Sequence, residues 1–258
     1  ALELFFSLNF IPSNKSIYKN IFKLTPGNIL RISLDNRNLN LKEYWTLEKD
    51  NKNLNYHETI EKSSIEIENS VKRQMISDVP IGSFLSGGID SSIVTYYMQK
   101  NSLNKIETFT IGFDDSNYDE SKYALNVSNF IGTNHQNIII NDQHVVDTIP
   151  KINQIYSEPF ADSSQILTYL ISKEAKKKVS VILSGDGGDE AFAGYNRHLL
   201  AKKLFKLLYN YPFIFNKVLP FILKLLPLSK YDKLNIFLNK VFSSKYLVKN
   251  LSERIDKL

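Results

Sequence analysis

The stretch FLSGGIDSSIV, residues 84–94, combines two adjacent glycines, an acid and three hydroxyls between apolar flanks. Gly87 and Gly88 free the backbone to turn sharply and expose its amide N–H groups, and a helix opening near Asp90 adds a positive N-terminal end. Such a turn is an anion cradle suited to phosphate, and Ser86, Ser91 and Ser92 can add hydroxyl donors. It is neither a G-x-x-x-x-G-K-[ST] loop nor a G-x-G-x-x-G fingerprint. An acid inside a phosphate loop makes sense with a cation between them, so Asp90 is a candidate Mg²⁺ ligand. A helix cap with no ligand is the alternative.

A second stretch, VILSGDGGDEAFAGY, repeats the plan: an apolar run, Ser184-Gly185, Asp186, two glycines, then Asp189-Glu190 opening a helix. Two such turns are hard to explain as unrelated caps. Asp90 and Asp189 could hold Mg²⁺ on a triphosphate from opposite walls, with the Ser184-Gly185 backbone approaching a nucleobase or the α-phosphate. SEPFADSSQ, 157–165, offers Glu158, Asp162, Ser163 and Ser164 before a helix, where a substrate carboxylate could meet backbone N–H groups. A capped helix start is the alternative reading. In SNYDES, 116–121, Asp119 or Ser116 reads as a cap. His57, His135, His144 and His198 share no metal-ligand spacing.

The elements that must position these residues follow an α/β rhythm from residue 79. Apolar runs at 79–85, 107–113, 137–140 and 179–185 read as strands. Helical stretches lie between them at 91–100, 119–132, 143–156 (read as one helix) and 164–178. Alternation of this kind implies a parallel sheet wrapped by helices, with ligands bound beyond the carboxyl ends of its strands. The exits at 86–92, 112–115 and 184–190 are therefore expected to converge on one crevice.

Upstream, SIYKNIFKLTPGNILRISL reads as a β-hairpin turning at Pro26-Gly27, followed by a polar bridge to Tyr44-Trp45. Residues 48–59 read as a polar linker, and Ile60, Ile67 and Val71 mark a helix. Both ends of the chain read as truncations. The tail from Leu199 to Leu258 is expected to form short helices divided by Pro212, Pro220 and Pro227 and packed on the sheet. Leu204, Leu207, Leu208, Phe221 and Leu225 would form their buried face. Lysines and prolines interrupt its apolar run, so no membrane span is expected.

The chain has 258 residues, a formal charge of +5 and no cysteine. Disulfides, thiolate–metal sites and a cysteine nucleophile within these residues are thereby excluded. A cytoplasmic location is the expectation. The positive charge reads as a lysine-rich helical surface, and nucleic acid as a minority partner.

LSGGIDSS resembles the PP-loop of enzymes that cleave ATP between its α- and β-phosphates. Together with SDVPIGSFLSGGIDSS, TFTIGF, YDES and LSGDGGDE-AFAGYNR, the chain resembles the glutamine-hydrolysing asparagine synthetase family, most strongly over 75–200. The resemblance implies an α/β fold of the PP-loop, adenine nucleotide α-hydrolase type, with a short N-terminal β remnant and a helical C-terminal segment. It implies that 1–47 closes an amidotransferase domain whose cysteine nucleophile lies upstream, and that 55–258 is a C-terminally truncated synthetase domain. It implies ATP and Mg²⁺, aspartate or a related carboxylate, and ammonia from glutamine; a homodimer is compatible with it. Leu85 and Ile111 would border adenine or ribose, Ser86 through Ser92 would hold pyrophosphate, and Ser184-Gly185 the AMP portion. Asp186 stands where the family often has a glutamate tied to forming the acyl-adenylate. A pyrophosphate-contacting lysine of the family is not assignable before Leu258.

Three other readings stay open: amidation of a sugar uronic acid in surface-polysaccharide assembly, a tRNA-modifying PP-loop ligase using the basic tail, and an inactive ATP-binding fragment. These residues alone are expected to lack glutaminase activity, because they offer no cysteine and no Ser-His-Asp spacing.

Overall fold

The computed structural model describes residues 1–35, 37–47, 54–113 and 119–195, with His198, Ala201, Phe205, Tyr209 and Asn210. The chain divides into two compact units, Ala1–Gly187 and Gly188–Leu258.

The first unit is built on four parallel strands, β3 (Ile81–Phe84), β4 (Glu107–Phe113), β5 (Asn134–Ile140) and β6 (Val181–Leu183), in the order β5-β4-β3-β6. Parallel strands buried on both faces read as near-continuous apolar runs, which is why these runs were legible. Side chains alternate between two helical layers. Ile81 and Leu183 pack with Val71, Tyr97, Met98 and Ile106 against α2 (Tyr56–Gln74) and α3 (Ile89–Lys100). Phe84, Phe109, Ile111 and Ile182 pack with Ile171, Ala175 and Val179, the first two of these on α7 (Ser164–Ala175). Phe109 and Met98 are fully buried; truncating Phe109 to alanine would cost about 3–5 kcal/mol. In chain order, α4 (Ser121–Ile131) connects β4 to β5.

Three expectations need correction. Pro26-Gly27 is not the hairpin turn: β1 (Asn28–Ile32) and β2 (Leu39–Glu43) pair antiparallel around residues 33–38, closed by the Ser33 amide on the Asn38 carbonyl. Gly27 instead accepts the Tyr44 amide at 2.8 Å, so the Pro-Gly pair leads into the ladder. The polar stretch 48–59 is not all linker, because Asn55 and Glu58 form a reciprocal capping box that starts α2. The stretch 143–156 is not one helix. Pro150 has no N–H to give, and the segment divides into α5 (Asp142–Thr148), a 3₁₀ turn (Ile149–Lys151) and α6 (Ile152–Ile155).

At the N-terminus, α1 (Leu2–Leu8) ends in Asn9 with left-handed φ of 64°. The second unit begins with α8 (Gly188–Phe192), where the Gly194 amide donates to the Asp189 carbonyl. The apolar positions expected to bury the tail helices (Leu204, Leu207, Leu208, Phe221 and Leu225) and its prolines lie outside the described residues. Among the described residues no helix is long and apolar enough to cross a membrane.

Candidate functional site

The turn after β3 is held from within and from behind. Gly87 has φ +80°, and a Cβ there would lie 2.7 Å from the Ala124 amide nitrogen and 2.8 Å from Tyr123. Only glycine lets α4 close on the loop at this distance. Gly88 is the N-cap of α3, so Asp90 is not a cap: it sits half-buried in the helix's first turn. That position, in the first turn of α3, suits an acid electrostatically.

The hydroxyls brace the same turn. The Ser91 hydroxyl accepts from the Ser86 amide at 3.2 Å and lies 3.0 Å from the Ser86 hydroxyl. The Gly88 amide donates to Ser86 Oγ at 3.2 Å, and Ser92 Oγ donates to the Gly88 carbonyl at 2.6 Å. Ser91 is buried; Ser86 is exposed and Ser92 half-buried.

The turn after β6 meets this one directly. A Cβ on Gly185 would lie 2.6 Å from the Ser91 amide nitrogen and 2.9 Å from the Asp90 carbonyl carbon. Two of the three expected exits therefore meet backbone to backbone. Beside Gly185, the Ser184 hydroxyl donates to Asp186 Oδ2 at 2.9 Å and accepts the Asp186 amide at 3.4 Å. Asp189 lies in the first turn of α8, in the second unit.

Next to the first turn is an apolar slot of about 270 Å³ lined by Leu85, Ser86, Ile111, Phe84, Phe109, Phe113, Thr110, Glu120 and Ile171. Its volume lies a little under the roughly 300–1,000 Å³ of typical ligand clefts. Leu85, Ser86 and Ile111 were singled out by sequence; the aromatic walls were not. Phe109, Ile111 and Phe113 share one face of β4 at period two, a signal that alternation would have supplied. Glu120 gave no comparable signal. Residues 114–118, the rest of the exit expected after Gly112, lie outside the described residues, as does Ser116.

The 157–165 segment does not line the slot. Glu158 forms an ion pair with Lys23 and accepts the Ile17 amide at 3.4 Å. Asp162 accepts the Ser164 amide at 2.9 Å, and hydrogen bonds from the Ser164 backbone and side chain hold its carboxyl below the usual range. Ser163 caps α7 without a side-chain bond, and Ser163 and Ser164 are both exposed. The N-cap of α4 is Glu120, not Asp119. Asp119 stands one residue earlier and accepts the Ser121 amide at 3.1 Å, and bonds from the Ser121 hydroxyl and amide lower its pKa. Among the described residues no three metal-ligating side chains cluster. His135 is a half-buried strand residue on Thr108 (3.0 Å), and burial lowers its pKa.

The sequence profile described as "Asparagine synthase" matches residues 64–254. The chain belongs to the asparagine synthase family. Among its curated relatives, the putative glutamine-hydrolysing asparagine synthetase 2 of Methanocaldococcus jannaschii is 44% identical over 200 residues, covering 77% of this chain and 39% of the relative. The glutamine-hydrolysing asparagine synthetase 1 of Bacillus subtilis is 33% identical over 196 residues, covering 76% and 31%. This asparagine synthase-family chain thus spans two fifths or less of these relatives. A solved NH3-dependent NAD synthetase from Campylobacter jejuni is similar at 23% identity, covering 55% of this chain and 62% of its own, with a TM-score of 0.36.

Proposed function

We propose that the chain is the synthetase part of a glutamine-dependent enzyme that amidates a carboxylate at the expense of ATP, with aspartate to asparagine as the leading reaction. The observation that carries this reading is the convergence of the Ser86–Ser92 and Ser184–Gly185 turns beside the apolar slot. Leu85 and Ile111 would flank the adenine there, and Ser184-Gly185 would meet the AMP portion. In this reading 1–47 closes an amidotransferase domain and 55–258 is synthetase.

A carboxylate is a poor acyl donor because its leaving group would be oxide. Attack of one carboxylate oxygen on the α-phosphorus expels pyrophosphate and gives an acyl-AMP. Ammonia then adds to the activated carbonyl, and AMP leaves with the amide formed. What the protein supplies is position and charge complementarity at the departing pyrophosphate. The self-braced turn at Ser86–Ser92 directs first-turn amides of α3 to it. Asp90, half-buried in the same helical turn, would hold Mg²⁺, which adds positive charge at the phosphate oxygens. Asp189 is the second carboxylate proposed for the ion, on sequence grounds. Ser163 and Ser164, exposed at the start of α7, are the groups proposed to receive the acid.

Asp186 favours keeping a second substrate in view. It is shorter than glutamate by one methylene and is tied back to Ser184, so a bulkier acid, such as a sugar uronic acid, would find more room before it. With the complete protein, α-³²P-labelled ATP is incubated with a panel of acids, with glutamine or ammonium. AMP with aspartate supports the leading reaction, AMP only with a uronic acid moves the substrate, and ADP rejects both. The 258 residues alone, lacking cysteine, should release no glutamate from glutamine.

A further inference from the structure

The acid-binding segment does not stand alone: an N-terminal segment far from it in sequence is fastened along it. The Ala161 amide donates to the Asn9 carbonyl at 2.8 Å, and the Tyr18 hydroxyl donates to the Ser157 carbonyl at 3.3 Å. Glu158 ties the two segments twice, through its ion pair with Lys23 and its bond from the Ile17 amide. Lys23 in turn donates to the carbonyl of Ile11 at 3.0 Å, and Ile11 is only 4% exposed. Four ties thus link residues 9–23 to residues 157–161, just ahead of Ser163 and Ser164. Packing within the helical layers does not require them, since neither segment contributes to the two clusters on the sheet.

We propose that residues 9–23 are a strut that sets the position of the acid-binding segment, with Lys23 and Glu158 as its positioning residues. The inference rests on the amidation reading and reassigns Glu158 within it: the carboxylate is committed to Lys23 and Ile17, so it orients Ser163 and Ser164 through the backbone and does not touch the substrate. A negative side chain free to face an anionic substrate would oppose its binding; pairing with Lys23 removes that opposition as well.

The test uses the complete protein, with ammonium as nitrogen source and AMP release as readout. Aspartate heads the panel of acids, and whichever acid gives turnover is titrated. Lys23→Met and Glu158→Gln should each raise KM for that acid about tenfold while KM for ATP stays within about twofold, because misplaced positioning groups cost binding at their own subsite. The double variant should be no worse than either single one, since both break one tie. Lys23→Arg, which still pairs with Glu158 and reaches Ile11, should stay near wild type. Hydrogen exchange should show faster exchange at the Ala161 amide in Lys23→Met, with β3 and β4 unchanged. Turnover with an unchanged acid KM, an equal loss for ATP and acid, or additive effects overturns the strut alone. No AMP from wild type with any acid rejects the amidation reading, and the strut with it.

Discussion

The turn after β3 is braced by its own hydroxyls and by α4, whereas the turn after β6 is braced by leaning on the first. Ser86, Ser91 and Ser92 all bond within their turn, and the eleven-residue α4 stands behind Gly87. The Ser184 hydroxyl bonds to Asp186, its one side-chain partner among the described residues, and Gly185 rests against Asp90 and Ser91. The same Ser-Gly-acid order therefore has two mechanical meanings. The first turn is a preformed cradle, and the second is a wall whose place depends on that cradle.

The sharpest way to break the comparison is at the acid of the cradle. Under the proposed reaction, in which Asp90 would hold Mg²⁺ at the phosphate, Asp90→Asn should cut AMP formation by about a thousandfold or more with the circular dichroism spectrum intact. Near-normal turnover at saturating Mg²⁺ would reduce Asp90 to a helix-dipole partner. Asp189→Asn should behave alike if both acids serve one ion.

The wall comes next. Gly185→Ala places a methyl 2.6 Å from the Ser91 amide nitrogen, without demanding an unusual φ. It should lower kcat/KM for ATP about a hundredfold, since what fails first is alignment of the two turns. Its loss of melting temperature should be smaller than that of Gly87→Ala, because no positive φ is violated. Gly87→Ala should do the reverse in kind. Its positive φ and the backbone of Tyr123 and Ala124 both resist a Cβ, so urea unfolding should report a loss of about 2–3 kcal/mol. If Gly87→Ala left stability intact and Gly185→Ala unfolded the protein, cradle and wall would have to exchange roles.

The smallest expected effect lies at the far end of α3. Lys100 and then Lys72 hold the Glu68 carboxyl down to about 2 from its ordinary 4.5, stapling α3 to α2. Because the folded value is the lower one, this contribution is present above pH 4.5 and lost as pH falls toward 2. Urea midpoints of Glu68→Gln should therefore fall slightly at neutral pH and vary less than wild type between pH 4.5 and 2.

What could be read from the sequence follows the physics of each region. β3, β4 and β6 announced themselves through short apolar or small-residue runs that suit a covered sheet, even with Ser83, Thr108 and Thr110 buried among them. The two turns were legible because glycine beside acid and hydroxyl serves few other purposes. The hairpin was misread because Pro26-Gly27 is a strong local turn signal, while the actual reversal at 33–38 lies in a stretch that reads as merely polar. Asn55-x-x-Glu58 was passed over inside an asparagine-rich run, although its spacing is that of a capping box. The ties from Asn9, Ile17 and Lys23 to 158–161 had no signature at all, since contacts across about 140 positions leave no local period.

The strand order carries one more consequence, for the timing of synthesis. β3 pairs with β4 soon after it, but its other edge waits for β6: Ile81 is matched by Val181, one hundred positions later. A ribosome making about 5–20 residues per second will have β3, β4 and β5 available for seconds before β6 emerges. During that interval one edge of β3 lacks its final partner, and the cradle stands without its wall. Long closures of this kind are slow to nucleate. A nascent chain should therefore gain tight nucleotide binding late and all at once, when the residues around Gly185 clear the exit tunnel.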